Sequence, residues 1–195
     1  MLKFYLPNAI SLVRLFGTIA LFFITPLEPI FYVIYSVCGI SDVLDRSIAR
    51  WLHAESQFGA KLDSICDILF YAVMLFRIFP VLWEMLPIYV WYIVIAILIV
   101  RISAYMVAAF RYHRFSSMHT YLNKITGFVL FCVPYVLHLP IAVGFCLFVC
   151  VVAMIASAEE LLLHIVEKEY DQAIKSILSF IKKEKNSDAV QKENT

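Results

Sequence analysis

The sequence predicts an all-α, polytopic membrane protein with six transmembrane helices. Three observations carry that expectation. Of 195 residues, 63% are hydrophobic and only 16% charged, against about 25% charged in an ordinary soluble domain. The apolar residues lie in long unbroken runs, without the alternation of a membrane barrel. Prolines and charges interrupt these runs at intervals close to the ~20 residues that a spanning helix needs. Six such helices with short links use nearly all of the chain, so no separate soluble catalytic domain is expected. Residues 1–165 are read as one six-helix domain, and 166–195 as a cytoplasmic tail that begins amphipathic and ends polar.

The first helix runs from about Asn8 to Ile24, where "TPLEP" stops it with two prolines in five residues. A basic residue precedes its apolar run as in a signal peptide, but no small-residue cleavage site follows, so an uncleaved first span is expected. The second starts near Pro29 or Ile30 and runs to about Trp51, polar only in its last turns. The third extends from around Lys61 to Pro80. The fourth begins at Pro87, a first-turn position that suits proline. The fifth covers roughly Asn123 to Leu139, and the sixth Pro140 to about His164.

Orientation follows from the basic residues. If the six helices alternate, Lys3, Arg46, Arg50, Lys61, Arg111, Arg114, Lys124 and the lysines of the tail share one side. Glu28, Glu84 and His138 take the other, with Arg77 close by. The positive-inside rule then puts both termini and the aspartate-rich stretch on the cytoplasmic face, and for a prokaryotic cell the expected location is the cytoplasmic membrane. A net charge of +1 gives no reason to expect a nucleic-acid partner. The five cysteines lie in apolar runs without CxxC or His-spaced patterns, so neither a zinc site nor a disulfide framework is indicated.

The charged stretch "SDVLDRSIARWLHAESQFGAKLDSICD" stands out from this apolar background. Asp42 and Asp45 are three residues apart on the second helix, and Asp63 and Asp67 four apart on the third. Each pair therefore shares a helix face. A short connection makes the two helices antiparallel neighbours, so the pairs can meet at their cytoplasmic ends. Two readings are open. Arg46, Arg50 and Lys61 could neutralise the carboxylates in an ion-pair network at the membrane surface. Alternatively, an all-oxygen set without His or Cys suits hard divalent cations such as Mg2+ or Mn2+, which would offer Lewis-acid faces to a phosphate.

Read as D-x2-D-x3-A-R-x8-G-x3-D-x3-D, the stretch closely resembles the signature of the CDP-alcohol phosphotransferases, integral membrane enzymes of phospholipid synthesis. Asp42, Asp45, Ala49, Arg50, Gly59, Asp63 and Asp67 stand at its positions. The start "FYLPNAISLVRL" is also similar to an interfacial segment common in that family. The resemblance implies six spanning helices, a homodimer and an active site at the cytoplasmic ends of helices two and three. It further implies two divalent ions, Mg2+ or Mn2+, held by Asp42, Asp45, Asp63 and Asp67, with Asp67 also the general base. The donor would be a CDP-linked lipid such as CDP-diacylglycerol, with Arg50 near its phosphates and Ala49 and Gly59 leaving room for cytidine. An alcohol acceptor would attack the lipid-bearing phosphorus and release CMP. One position departs from the pattern: the residue after the second aspartate, normally glycine, is Arg46. An arginine there points away, shifts the cytidine, or stacks on it.

Acceptor candidates are Arg101, Arg111, Arg114 and Lys124. A lone arginine inside an apolar helix is costly, so Arg101 should face a polar cavity or bond a neighbouring group. The basic cluster suits a phosphate-bearing acceptor, glycerol 3-phosphate before inositol phosphate, although positive-inside topology would put basic residues there in any case. "LDSICD" resembles the serine-using branch and "PNAISLVRL" the glycerol-phosphate branch. Two further readings compete with an enzyme: a binding homologue impaired by Arg46, and a cation transporter. The transporter would carry acidic groups at mid-membrane on several helices, whereas the four aspartates here gather at one end.

Overall fold

The computed structural model describes residues 2–51, 57–112 and 120–166, and within them the side chains of 9–42, 59, 63–111 and 120–166. Among these residues there are six helices and no strand: α1 (Leu2–Phe23), α2 (Pro29–Trp51), α3 (Gln57–Met85), α4 (Ile88–Tyr112), α5 (Tyr121–Val136) and α6 (Ala142–Val166). The chain divides into two compact units, Met1–Met85 and Leu86–Thr195.

In the first unit, α1 packs on both α2 and α3. Its buried face reads Ser11, Arg14, Thr18 and Leu21, the spacing that one stripe of a helix requires. On the other faces Phe16 and Phe23 are 68% and 77% exposed, an arrangement that lipid accepts and water would penalise. Helices α2 and α3 are joined by an aromatic stack. Phe31 lies 5.9 Å from Tyr35, which lies 5.6 Å from Phe70, with near-parallel rings. Gly17 marks a close approach of α1 to α2, since a Cβ at that position would come within 2.6 Å of Cys38 Sγ.

The α1–α2 link turns tightly enough to hold Leu27 at a φ of 68°, left-handed backbone that costs a non-glycine residue about 1–2 kcal/mol. The proline-rich "TPLEP" thus ends the helix as its sequence predicts. Arg77 of α3 donates a hydrogen bond to the Ile24 carbonyl at the end of α1, which supplies a donor to a group that the helix itself cannot satisfy.

In the second unit, α4 and α5 each pack on α6. A polar cluster ties all three together. Arg101 donates to Asn123 Oδ1 at 3.1 Å and to Ser157 Oγ at 3.4 Å, and pairs with Glu160 at 3.5 Å. Asn123 in turn donates to Glu160 at 3.1 Å. Glu160 and His164, one turn apart on α6, are fully buried. Arg111 donates to the Ile165 carbonyl at 2.7 Å, where a cation also complements the negative end of the α6 dipole.

Three helical stretches among the described residues are long and apolar enough to cross a membrane: Asp63–Met85, Ile88–Arg111 and Ala142–Val166. Ala9–Phe23, Pro29–Asp42 and Tyr121–Val136 are apolar but shorter. Several helix ends differ from the sequence expectation. Helix α1 begins well before Asn8. Helix α3 continues through Pro80 to Met85, because a proline removes one donor and apolar helices tolerate the gap when neighbours cover it. Helix α5 starts two residues before Asn123, since the Thr120 side chain accepts from the Asn123 amide and caps it. It ends at Val136 rather than Leu139. The tail from residue 167 onward lies outside the described residues.

Candidate metal centre

The site lies within the first unit. Helix α2 supplies Asp42, α3 supplies Asp63 and Asp67 one turn apart, and each offers a carboxylate oxygen within 4.8 Å of the other two. The aspartate side chains keep 26%, 23% and 20% of their surface accessible. That leaves the cradle open to an entering ion while its walls are protein.

At its centre stands a residue that the motif does not contain. Arg14 of α1 is 1% exposed, and its Nη1 lies 3.3 Å from Asp42 Oδ1 and 3.1 Å from Asp63 Oδ1. The same nitrogen donates a hydrogen bond to Asp67 Oδ1. A buried guanidinium in an apolar helix would cost several kcal/mol alone; three carboxylates converging on it offset that cost.

The surrounding side chains explain why Arg14 reaches so far in. The Arg14 carbonyl accepts from Thr18 Oγ1 at 2.8 Å and from Cys38 Sγ at 3.8 Å, and the Ser11 carbonyl accepts from Cys66 Sγ at 3.4 Å. Small groups on α2 and α3 thereby hold the α1 backbone close. Asp42 is one turn beyond Cys38, and Asp67 directly follows Cys66. Cys38 and Cys66 are buried thiols, and both face the α1 backbone beside the carboxylates.

Of the expected site residues, the structure brings together Asp42, Asp63 and Asp67. Gly59 lies on α3 one turn before Asp63 and is half-buried. Asp45, Arg46, Ala49 and Arg50 belong to α2, but their side chains lie outside the described residues, as does Lys61 on α3. Arg114 falls outside the described residues altogether. The remaining acceptor candidates are in the second unit. Arg101 sits in its cluster with Glu160, Asn123 and Ser157, Arg111 bonds the Ile165 carbonyl, and Lys124 lies 5.9 Å from the centre of the Tyr121 ring. Arg14 is the residue that sequence reasoning missed. Its signal was a lone charge within the first apolar run, the same signal that singled out Arg101.

Three oxygen donors with no nitrogen or sulfur suit Mg2+ or Mn2+, which bind through carboxylates and keep several waters. The donor chemistry therefore fits a hard divalent ion. An all-helical chain with three membrane-long apolar helices is a membrane protein, and its aspartate cradle could hold a metal ion. Residues 4–165 match the family model for CDP-alcohol phosphatidyltransferase, and the chain belongs to that family. Its class of activity is accordingly phosphatidyl transfer from a CDP-alcohol, in phospholipid biosynthesis. Comparison with curated proteins and with solved structures found no match.

Proposed function

We propose that the protein transfers a phosphatidyl group from a CDP-linked lipid such as CDP-diacylglycerol to an alcohol acceptor, releasing CMP, and requires two divalent ions. The observation that carries this reading is the convergence of Asp42, Asp63 and Asp67 in a chain of this family. Asp42, Asp45, Asp63 and Asp67 would hold Mg2+ or Mn2+. Bound there, the ions supply charge neutralisation at the donor pyrophosphate. Asp67 takes the proton from the acceptor hydroxyl. The acceptor oxygen forms a bond to the lipid-bearing phosphorus as the bond from that phosphorus to the CMP oxygen breaks. Arg50 contacts donor phosphate, Ala49 and Gly59 leave space for cytidine, and Arg46 adjoins them in place of the family glycine.

The chain works, in this reading, as a homodimer of six-span subunits in the cytoplasmic membrane with both termini inside, the short apolar stretches of α1, α2 and α5 being completed by their polar ends. For the acceptor we favour glycerol 3-phosphate, with Arg101, Arg111, Arg114 and Lys124 as its cationic contacts. One observation supports a second acceptor class, serine or inositol. Glu160 already balances Arg101, and Arg111 is occupied by a carbonyl, which lowers the positive charge left for a phosphate.

The test is CMP release by the purified protein with CDP-diacylglycerol and Mg2+ or Mn2+, across glycerol 3-phosphate, serine, inositol, inositol phosphate and choline. Release with one acceptor, abolished by chelation, is expected. Folded protein that releases no CMP with any of them would refute the reading for this donor.

A further inference from the structure

We propose that Arg14 is a built-in stand-in for the metal. It keeps Asp42, Asp63 and Asp67 converged before an ion arrives and must give them up when one binds, so its charge sets the affinity of the centre. The inference rests on the metal-dependent reading above and concerns a residue of α1, outside the aspartate motif.

The geometry is that of a cation site. Arginine ordinarily meets a carboxylate through its fork, two nitrogens against two oxygens. Here one nitrogen, Nη1, lies within ion-pair distance of oxygens from three carboxylates on two helices. That nitrogen carries only two hydrogens, so it cannot direct one at each of three oxygens. At least one of the three therefore meets Nη1 through charge rather than through a hydrogen from that nitrogen. A divalent ion would need no hydrogen aimed at each donor, so oxygens from all three carboxylates could share it.

Charge points the same way. Three carboxylates against one guanidinium leave the described cradle doubly negative. Without Arg14 the cradle would be triply negative, with oxygens within 4.8 Å of one another, and would tend to splay apart. Arg14 therefore stabilises the empty centre and opposes the filled one, because a positive charge beside a bound divalent ion repels it.

Its placement makes the exchange local. The Arg14 backbone is anchored by the bonds from Thr18 and Cys38 to its carbonyl, while the guanidinium is at the end of a long stem. Release of the aspartates by rotation of that stem would leave α1 in place.

The experiment compares wild-type full-length protein in detergent with Arg14→Gln, Arg14→Met and Arg14→Lys. Thermal unfolding is followed against Mn2+ concentration, and bound Mn2+ is counted by electron paramagnetic resonance. Both neutral variants are expected to melt earlier without Mn2+. They should reach half-maximal stabilisation at roughly ten-fold or more lower Mn2+ than wild type. Arg14→Lys, which retains the charge, should return both values toward wild type, a rescue that a purely packing role would not give. A neutral variant that can be purified only with Mn2+ present is the same result in stronger form. Equal Mn2+ midpoints in wild type and neutral variants would overturn the stand-in role while leaving the metal reading intact. Neutral variants that fail to fold with or without Mn2+ would also overturn it, making Arg14 a structural charge. No Mn2+ response in any of the proteins would remove both readings together.

Discussion

Substituting Gly17 by alanine tests whether the closeness of α1 and α2 builds the centre. The added Cβ would lie 2.6 Å from Cys38 Sγ and 3.5 Å from Ile34 Cγ2. The second contact is ordinary; the first falls short of van der Waals separation by about 1 Å. Cys38 is buried, so the helices must part or the thiol must turn. Overpacking of this kind costs about 1–3 kcal/mol, and the better helix propensity of alanine returns about 1 kcal/mol. The net loss expected for Gly17→Ala is about 1 kcal/mol. Parting also lengthens the 3.3 Å Arg14–Asp42 contact, so the Mn2+ concentration for half-maximal thermal stabilisation should fall. In a Cys38→Ala background the clash is gone, and the same substitution should stabilise by about 1 kcal/mol. The coupling, read from a double-mutant cycle of unfolding in detergent, is thus about 2 kcal/mol. A coupling within about 0.5 kcal/mol of zero, or an unchanged Mn2+ midpoint in Gly17→Ala, would refute the claim that this contact sets the position of Arg14.

Three further outcomes are expected. Asp67→Asn should abolish CMP release while leaving part of the metal-dependent thermal stabilisation; retained turnover would remove Asp67 as the base. Glu160→Gln leaves Arg101 its bonds to Asn123 and Ser157 but not its charge partner, and should lower stability by about 2–4 kcal/mol, a loss that unfolding measurements would detect. Arg46→Gly restores the family residue, and measured CDP-lipid affinity and turnover should change; if neither does, the arginine simply points away from the donor.

Much of the helical order was legible because prolines and charges punctuate it. Helix α2 spans the expected Pro29 to Trp51, and the convergence of Asp42 with Asp63 and Asp67 follows from helical spacing across a short link. The partners of single charges were not legible. Arg14 and Arg101 each announce a buried polar contact, yet nothing local names it. The answers are three aspartates from two other helices for the first, and Glu160, 59 residues further on, for the second. Pro80 misled in the opposite sense. It reads as a stop, and the helix passes through it because the lost hydrogen bond is one among many.

The bond from Arg77 to the Ile24 carbonyl joins groups 53 residues apart. During synthesis, all of α1 has been made long before Arg77. An end-of-helix carbonyl without a donor is expensive wherever water is scarce, so the first helix remains incomplete until the third arrives. A chain truncated between α2 and Arg77 would carry that open end. The first unit is therefore finished as a set of three helices, with its earliest element locked by its last.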